Sequence, residues 1–522
     1  MVFEKYYKDF YDTKIRNLKL KIYNPNIIRK AHKNRSYNYC GKIYNEILTE
    51  VSLELNKLHD CNLSVKSWEI VFGNWLRYFI WICYERYTSI TKTINHNKIK
   101  NIFVKENTSF IFASEDTSGI YENSINDNWN SNLYYKILRY LNINNLKVSN
   151  YSLAESQKKK YQPKKKIGLK RKIFNVILNV LSLIKFKNSG IVINTFLPLF
   201  HEKLFELLLF QIPRNWNFQN VKFKQYDNKK RESFNLNYEK KSSVENFIRK
   251  NIKFFLPISV VESFDDIMKI SQSMGFPKNP KFIFTSNDFE YNEIFKSYVA
   301  KLIERKKINY YIGQHGVYFS DVRGDKFRTE FSTSDKFLTW GYTDSDKFIQ
   351  SFNFPSFGRK KYYRTNKKHN KLLIVVSPME YKIYPFYTTH YLENGLENVV
   401  EILKSSNKQI TKNAIIRLHE SYKVKRGEYF LKKYFHKKSL NIDFGSESFH
   451  KARQSSRLTL FNYDSTGILE NLSLNYPTIC MWDDFENNIS DKFKDKYKIL
   501  IDAKILFIKR DDLIKHLNKI WD

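Results

Sequence analysis

The spacing of apolar residues changes character along the chain. Through residue 150 it is helical. In residues 44–59 (YNEILTEVSLELNKLH), Ile47, Val51, Leu55 and Leu58 recur at steps of three and four, which predicts an amphipathic helix. Residues 68–87 (WEIVFGNWLRYFIWICYERY) are apolar nearly all round yet carry Arg77, Glu85 and Arg86, so they predict a buried core helix rather than a membrane span. From residue 190 short β-rich runs alternate with helical patterns, the signature of βα units and parallel sheets. One set is 191–195 (IVINT), 282–285 (FIFT), 310–312 (YYI) and 337–339 (FLT). A second is 372–376 (LLIVV), 414–417 (AIIR), 458–461 (LTLF) and 478–481 (TICM).

Five segments follow from this pattern. Residues 1–150 form a mainly helical amino-terminal region, and 151–189 a basic linker with an amphipathic helix. Residues 190–356 form a first Rossmann-like lobe, 357–370 (FGRKKYYRTNKKHN) an interdomain linker, and 371–522 a second Rossmann-like lobe. The expected fold class is α/β: two Rossmann-like lobes with a ligand cleft between the carboxyl ends of their strands. No internal repeat is visible.

Composition adds a second layer. Lysine plus arginine exceed aspartate plus glutamate by 36, which favours anionic partners, although the richness in Lys, Asn, Ile, Tyr and Phe also suits an AT-rich genome. Nine of the basic residues lie between Lys158 and Lys172, directly before the apolar run IFNVILNVLSLIKF. That succession suits peripheral contact with an anionic membrane surface and equally a solvated loop leading into a core helix. The polar start is no signal peptide. Four dispersed cysteines (Cys40, Cys61, Cys83, Cys480) point to reduced thiols in a cytoplasmic protein.

G-x-x-x-x-G-K-[ST], G-x-G-x-x-G and H-E-x-x-H are all absent. What remains is polar residues placed just beyond strands. His315, in Gly313-Gln314-His315-Gly316, lies where flanking glycines allow a tight turn, and its imidazole suits a general base or a phosphate ligand. Thr285-Ser286-Asn287-Asp288 can hydrogen-bond sugar hydroxyls or cap a helix. Glu330 is a carboxylate candidate for deprotonating an acceptor hydroxyl. In the second lobe Arg417 and His419 share one face of an extended segment, giving two phosphate-binding groups. Asp464, Ser465 or Thr466 caps a helix whose free N–H groups suit a nucleotide phosphate, with Glu470 one turn further on for a ribose.

GQHG with the strand and Trp340-Gly341 after it, then RLHE, then YDSTGILENLSLNYPTI, is similar to a family of surface-carbohydrate transferases whose genes accompany O-antigen and nonulosonic-acid loci. Leu55-Asn56 with His59, the GNWLRYFI segment, Glu85-Arg86-Tyr87, Asp127-Asn128-Trp129-Asn130 and FTSND extend the resemblance over residues 40–485. More distantly, the carboxyl-terminal half resembles the Kdo and polysialic-acid capsule transferases and the teichoic-acid glycerophosphotransferases. In these families His315 matches a first-lobe histidine, and Arg417 with His419 matches an Arg-x-His-Pro. Asp464, Ser465 and Thr466 match a helix start, and Glu470 matches the acidic residue after it. Two departures stand out: Glu420 occupies the usual proline position, and an amino-terminal strand segment expected before the first helix is missing.

The resemblance implies a GT-B-like glycosyltransferase, inverting and metal-independent, with no cofactor. It implies a CMP-activated nonulosonic or Kdo-type acidic sugar as donor and an anionic lipid-linked or polysaccharide acceptor, at the inner face of the cytoplasmic membrane. His315 and Glu330 would be catalytic. Arg417, His419, Asp464, Ser465, Thr466 and Glu470 would bind the donor, and Ser286, Asn287 and Gln314 the acceptor. A CDP-alditol phosphotransferase is the alternative on the same architecture. A basic nucleic-acid-binding protein, or a non-catalytic partner in a polysaccharide assembly complex, is the alternative of another class. No RRM, KH or OB pattern supports nucleic-acid binding.

Overall fold

The computed structural model describes residues 30–522 except 97–98, 100, 151–175, 179, 182–188, 215, 217, 219, 238–241, 306–307, 317–326, 344, 363–368, 377–388, 420–440, 483–484 and 522. The basic run from Lys158 to Lys172 and Glu420 lie outside the described residues.

The amino-terminal region is built on two long helices, α1 (Lys30–Leu58) and α2 (Asn74–His96). Between them Val65–Trp68 leads into a π-helical turn, Glu69–Gly73. The π turn widens the helix just before Asn74 and so resets the direction of the side chains that follow. Two short strands, β1 (Ile102–Glu106) and β2 (Leu146–Asn150), pair in parallel within the region that the sequence pattern predicts to be mainly helical.

The eight predicted strands all form, their apolar runs buried on one face of a parallel sheet and buried or half-buried on the other. The first sheet contains β3 (Gly190–Ile193), β4 (Phe282–Thr285), β5 (Asn309–Gly313), β6 (Lys336–Thr339) and β7 (Phe348–Gln350), side by side in chain order and all parallel. The order never reverses, and β3 stands at the edge where an earlier strand would otherwise add. One face of this sheet (Ile191, Ile193, Ile283, Ile312, Phe337) packs into a large cluster shared with Trp68, Phe72, Trp75 and Phe79 of the helical region. The other face presents Val192 and Phe284 to Phe354 and to Phe205 of helix α3 (Leu199–Leu208).

The second sheet contains β8 (Leu372–Val375), β9 (Ala414–Arg417), β10 (Asn441–Asp443), β11 (Leu458–Phe461), β12 (Thr478–Met481) and β13 (Leu506–Phe507). Its spatial order is β10-β9-β8-β11-β12-β13, all parallel. In sequence terms this is the 3-2-1-4-5-6 order of dinucleotide-binding folds, and it reverses between β8 and β11. The segment after β7 is tied to this lobe. Tyr362 N–H donates to the Leu474 carbonyl at 2.7 Å, and the Tyr362 and Tyr476 rings stack at 4.9 Å.

All four cysteines are free thiols, and burial raises the pKa of Cys40, Cys83 and Cys480. Among the described residues no helix is long and apolar enough to cross a membrane.

Candidate functional site

At the carboxyl ends of β3, β4 and β5 the chain makes tight, polar turns. After β3, Asn194 and Phe196 adopt positive φ angles of 46° and 64°. A phenylalanine in that region is strained by about 1 kcal/mol or more, so the surroundings must hold it there. They do so through Glu202, which accepts hydrogen bonds from the Thr195 N–H (2.9 Å) and hydroxyl (2.8 Å). The Asn194 side-chain amide donates to Asp288 at 2.5 Å. Ser286 donates its hydroxyl to the Thr195 carbonyl at 3.0 Å, and Thr285 Oγ1 accepts from the Asp288 N–H at 3.0 Å and the Asn287 N–H at 3.3 Å.

His315 sits beyond β5, at a position fixed by its neighbours. A Cβ on Gly313 would lie 2.4 Å from Ser286 Oγ and 2.5 Å from the Phe354 ring, so only glycine fits. Gln314 clamps the turn: its side-chain amide donates to the Gly316 carbonyl at 2.7 Å and accepts from the Trp340 N–H at 2.6 Å. The imidazole lies between the rings of Phe196 (5.8 Å) and Phe289 (6.0 Å). Its Nε2 is 3.9 Å from a carboxylate oxygen of Glu290, close enough for charge coupling but beyond hydrogen-bonding distance. Burial lowers the His315 pKa, against the opposing effects of Glu290 and Glu330, and Arg328 lowers it further. The neutral imidazole favoured in this way can accept a proton near neutral pH.

Glu290 joins the helical region to this site. It accepts hydrogen bonds from the Tyr121 hydroxyl and, at 3.4 Å, from the Asn74 amide. The Asn74 side-chain oxygen, Oδ1, in turn accepts from Arg77 Nη2 at 2.8 Å. Arg77 Nη1 donates to the Phe327 carbonyl at 3.2 Å and lies 4.0 Å from Glu330. Glu330 is buried and has a second cation, Arg328, at 3.4 Å.

In the second sheet Asp464, Ser465, Thr466 and Glu470 follow β11, one of the two strands at the reversal point. Asn462 N–H donates to the Val375 carbonyl at 3.3 Å, bridging β11 to β8, and the chain then turns into helix α4 (Thr466–Ser473). Of the three capping candidates Ser465 is the cap, its hydroxyl accepting from the Gly467 N–H at 3.2 Å, while Thr466 is the first helical residue. Asp464 accepts from the Tyr497 hydroxyl at 3.0 Å and 3.1 Å. Glu470 lies 3.6 Å from buried Arg453; burial raises its pKa, and Arg453 and Arg359 oppose that rise. Arg417 at the end of β9 is already engaged. It pairs with Asp443 and donates to the Glu447 carbonyl at 2.9 Å. His419 lies two residues beyond it, exposed.

The structure therefore gives two clusters. His315 and Glu330 share the first, while Ser286 and Gln314 are committed to holding its turns and Asn287 lies at the entry to a short helix. Asp464, Ser465, Thr466 and Glu470 share the second, with Arg417 and His419 on the neighbouring strand end. Glu290, Asn74, Arg77 and Tyr121 adjoin the candidate site around His315 and are residues that the sequence reading missed. The available signal was polar Asn74 and charged Arg77 within the nearly all-apolar run GNWLRYFI. Among the described residues no group of three or more His, Cys, Asp or Glu side chains is placed to hold a metal ion.

Asp288 supplies a stability test. Burial raises its carboxyl pKa from the ordinary 3.8 to about 6. A raised folded-state pKa means that this contribution to stability is complete below the unfolded value and lost as pH rises through about 6. The displacement corresponds to roughly 3 kcal/mol. Asp288→Asn keeps the acceptor for Asn194 and removes the charge. The variant is expected to lose this part of the pH dependence and to melt above the parent at pH ~8, in thermal unfolding followed across pH.

No curated protein matches the chain. The family model described as LIC12162 family transferase matches residues 3–522, and the protein belongs to that transferase family.

Proposed function

We propose that this transferase is a glycosyltransferase of GT-B architecture, moving an acidic sugar from a CMP-activated donor to a hydroxyl of an anionic, lipid-linked or polysaccharide acceptor. The observation that carries the reading is the strand reversal between β8 and β11, with the Ser465-capped start of α4 beside it. In open α/β sheets the crevice at such a reversal is where nucleotides bind.

On this reading the donor phosphate lies against the free N–H groups at the start of α4, with His419 nearby. Arg417, held by Asp443, orders the end of β9. Glu470 accepts hydrogen bonds from the ribose. As the glycosidic phosphate departs, its charge is met by these groups, while neutral His315 takes the proton from the acceptor hydroxyl on the opposite side. Inversion follows from that opposed arrangement. Transfer is metal-independent on this reading and takes place at the inner face of the cytoplasmic membrane, to whose anionic lipid the charge of the run between Lys158 and Lys172 is attracted.

Calorimetric titration with CMP, CDP, UDP and GDP, with and without magnesium, tests the donor assignment. Selective CMP binding unchanged by magnesium is expected, and Ser465→Ala is expected to lower stability by about 1 kcal/mol through loss of the cap. Preference for CDP would favour an alditol-phosphate transferase, and preference for UDP or GDP a hexose transferase. Failure of all four to bind would overturn the reading.

A further inference from the structure

Helix α3 is built inside out. Its charged residues Glu202, Lys203 and Glu206 are 7% exposed or less, while Phe200, Leu204, Leu207 and Leu208, with Phe210 just beyond, are 40–89% exposed. The inward charges satisfy one another: Lys203 Nζ lies 3.1 Å from Glu202 and 2.5 Å from Glu206, which also accepts from the Arg214 N–H at 3.1 Å. Residues 200, 204, 207 and 208 fall on one stripe at helical spacing, the stripe that an ordinary surface helix turns toward its core. Here it faces outward, and no described residue covers it.

The surroundings of the stripe indicate what covers it. Gly358 seats directly on the His201 ring, which meets Phe357 edge-on at 5.1 Å, and Phe352 packs on Phe357 at 4.9 Å. Phe352 and Phe357 are themselves exposed, and Arg359, Lys360 and Lys361 follow at once, all exposed. The patch is thus apolar and aromatic, with a basic rim, and α3 itself exposes no carboxylate. A second copy of the chain meeting it about a two-fold axis would bring like-charged rims together. An anionic lipid surface matches both parts, taking the side chains between its headgroups and pairing the rim with its phosphates.

We propose that the outward face of α3, with Phe352, Phe357 and Arg359 to Lys361 beside it, is where this protein seats on an anionic phospholipid bilayer. The α3 helix begins three residues after Phe196, whose ring packs on His315. The proposed lipid-facing helix therefore follows closely in the chain on the turn that carries Phe196 to His315. The proposal does not depend on the glycosyltransferase reading, since lipid binding is read without turnover.

Flotation of the full chain with vesicles of phosphatidylcholine, alone or mixed with phosphatidylglycerol, tests it. The parent is expected to float with the mixed vesicles only. Leu207→Glu with Leu208→Glu, and separately Lys360→Glu with Lys361→Glu, are each expected to weaken binding by about tenfold or more. Ile499→Glu, at an exposed apolar position on another helix, is expected to bind as the parent does. All of these side chains are exposed, so thermal unfolding should match the parent's. A parent that ignores phosphatidylglycerol overturns the proposal, as does a leucine variant that binds undiminished. It also fails if the leucine changes instead dissolve a dimer seen by sedimentation without lipid.

Discussion

His315→Gln is expected to lower turnover by about 10²–10⁴, the range for loss of a positioned general base, while leaving nucleotide affinity within about twofold. The assay uses whichever donor the nucleotide titration selects. The pH profile gives an independent readout. Protonated His315 cannot take a proton, so kcat/KM should rise with pH and level off once the imidazole is neutral. Because burial lowers the His315 pKa, the midpoint of that limb should fall below the ordinary 6.5. Glu290 opposes the lowering, so Glu290→Gln should move the limb to still lower pH. The limb should disappear in His315→Gln. Undiminished turnover in that variant, or a limb that persists there, would remove His315 from the chemistry.

His315 was visible in the sequence because its glycines mark a turn at a strand end. Glu290 was not, although it lies only five residues after a recognised strand. Its partners Tyr121 and Asn74 come from 169 and 216 residues earlier in the chain, Asn74 on a helix that the apolar pattern identifies only as core. Periodicity reports which side of a helix is buried; it carries nothing about which distant helix that side meets. The same limit explains α3: its sequence LFHEKLFELL reads as an ordinary amphipathic helix, and only the fold decides which face is turned outward.

The strands divide in a similar way. β8, β9, β11 and β12 occupy the middle of a sheet, so their runs are apolar on both faces and stand out against the loops. β7, β10 and β13 lie at sheet edges and span two or three residues, too few to show a period. Arg417 shows why a correct position is not a complete reading. The sequence places it at a strand end, but its partner Asp443 belongs to β10, the edge strand that left no signal.

Arg77→Met is expected to destabilise the protein by about 1–3 kcal/mol, the cost of leaving the Asn74 side-chain oxygen and the Phe327 carbonyl without their buried donor. Arg77 is buried between the Asn74 side chain and the Phe327 carbonyl, with its guanidinium 4.9 Å from the Tyr78 ring centroid and 5.2 Å from that of Trp81. Methionine replaces the stem but not the charge, leaving Glu330 with Arg328 alone. Glu330→Gln in the same background removes a carboxylate left with one cation in place of two, so the double variant should be more stable than the sum of the single losses by about 1 kcal/mol or more. Urea unfolding of the four proteins measures that coupling, and strictly additive losses would show that the pair is not a unit. The same set separates the two base candidates. Glu330 is closed off between two guanidinium groups, so Glu330→Gln should keep turnover within about tenfold of the parent, far from the loss expected at His315. Arg77→Met should also lower turnover in the fraction that remains folded, because Asn74 loses the contact that holds it against Glu290. The helical region then acts as the rear wall of the His315 site, and its loosening should register in kcat before it registers in nucleotide affinity.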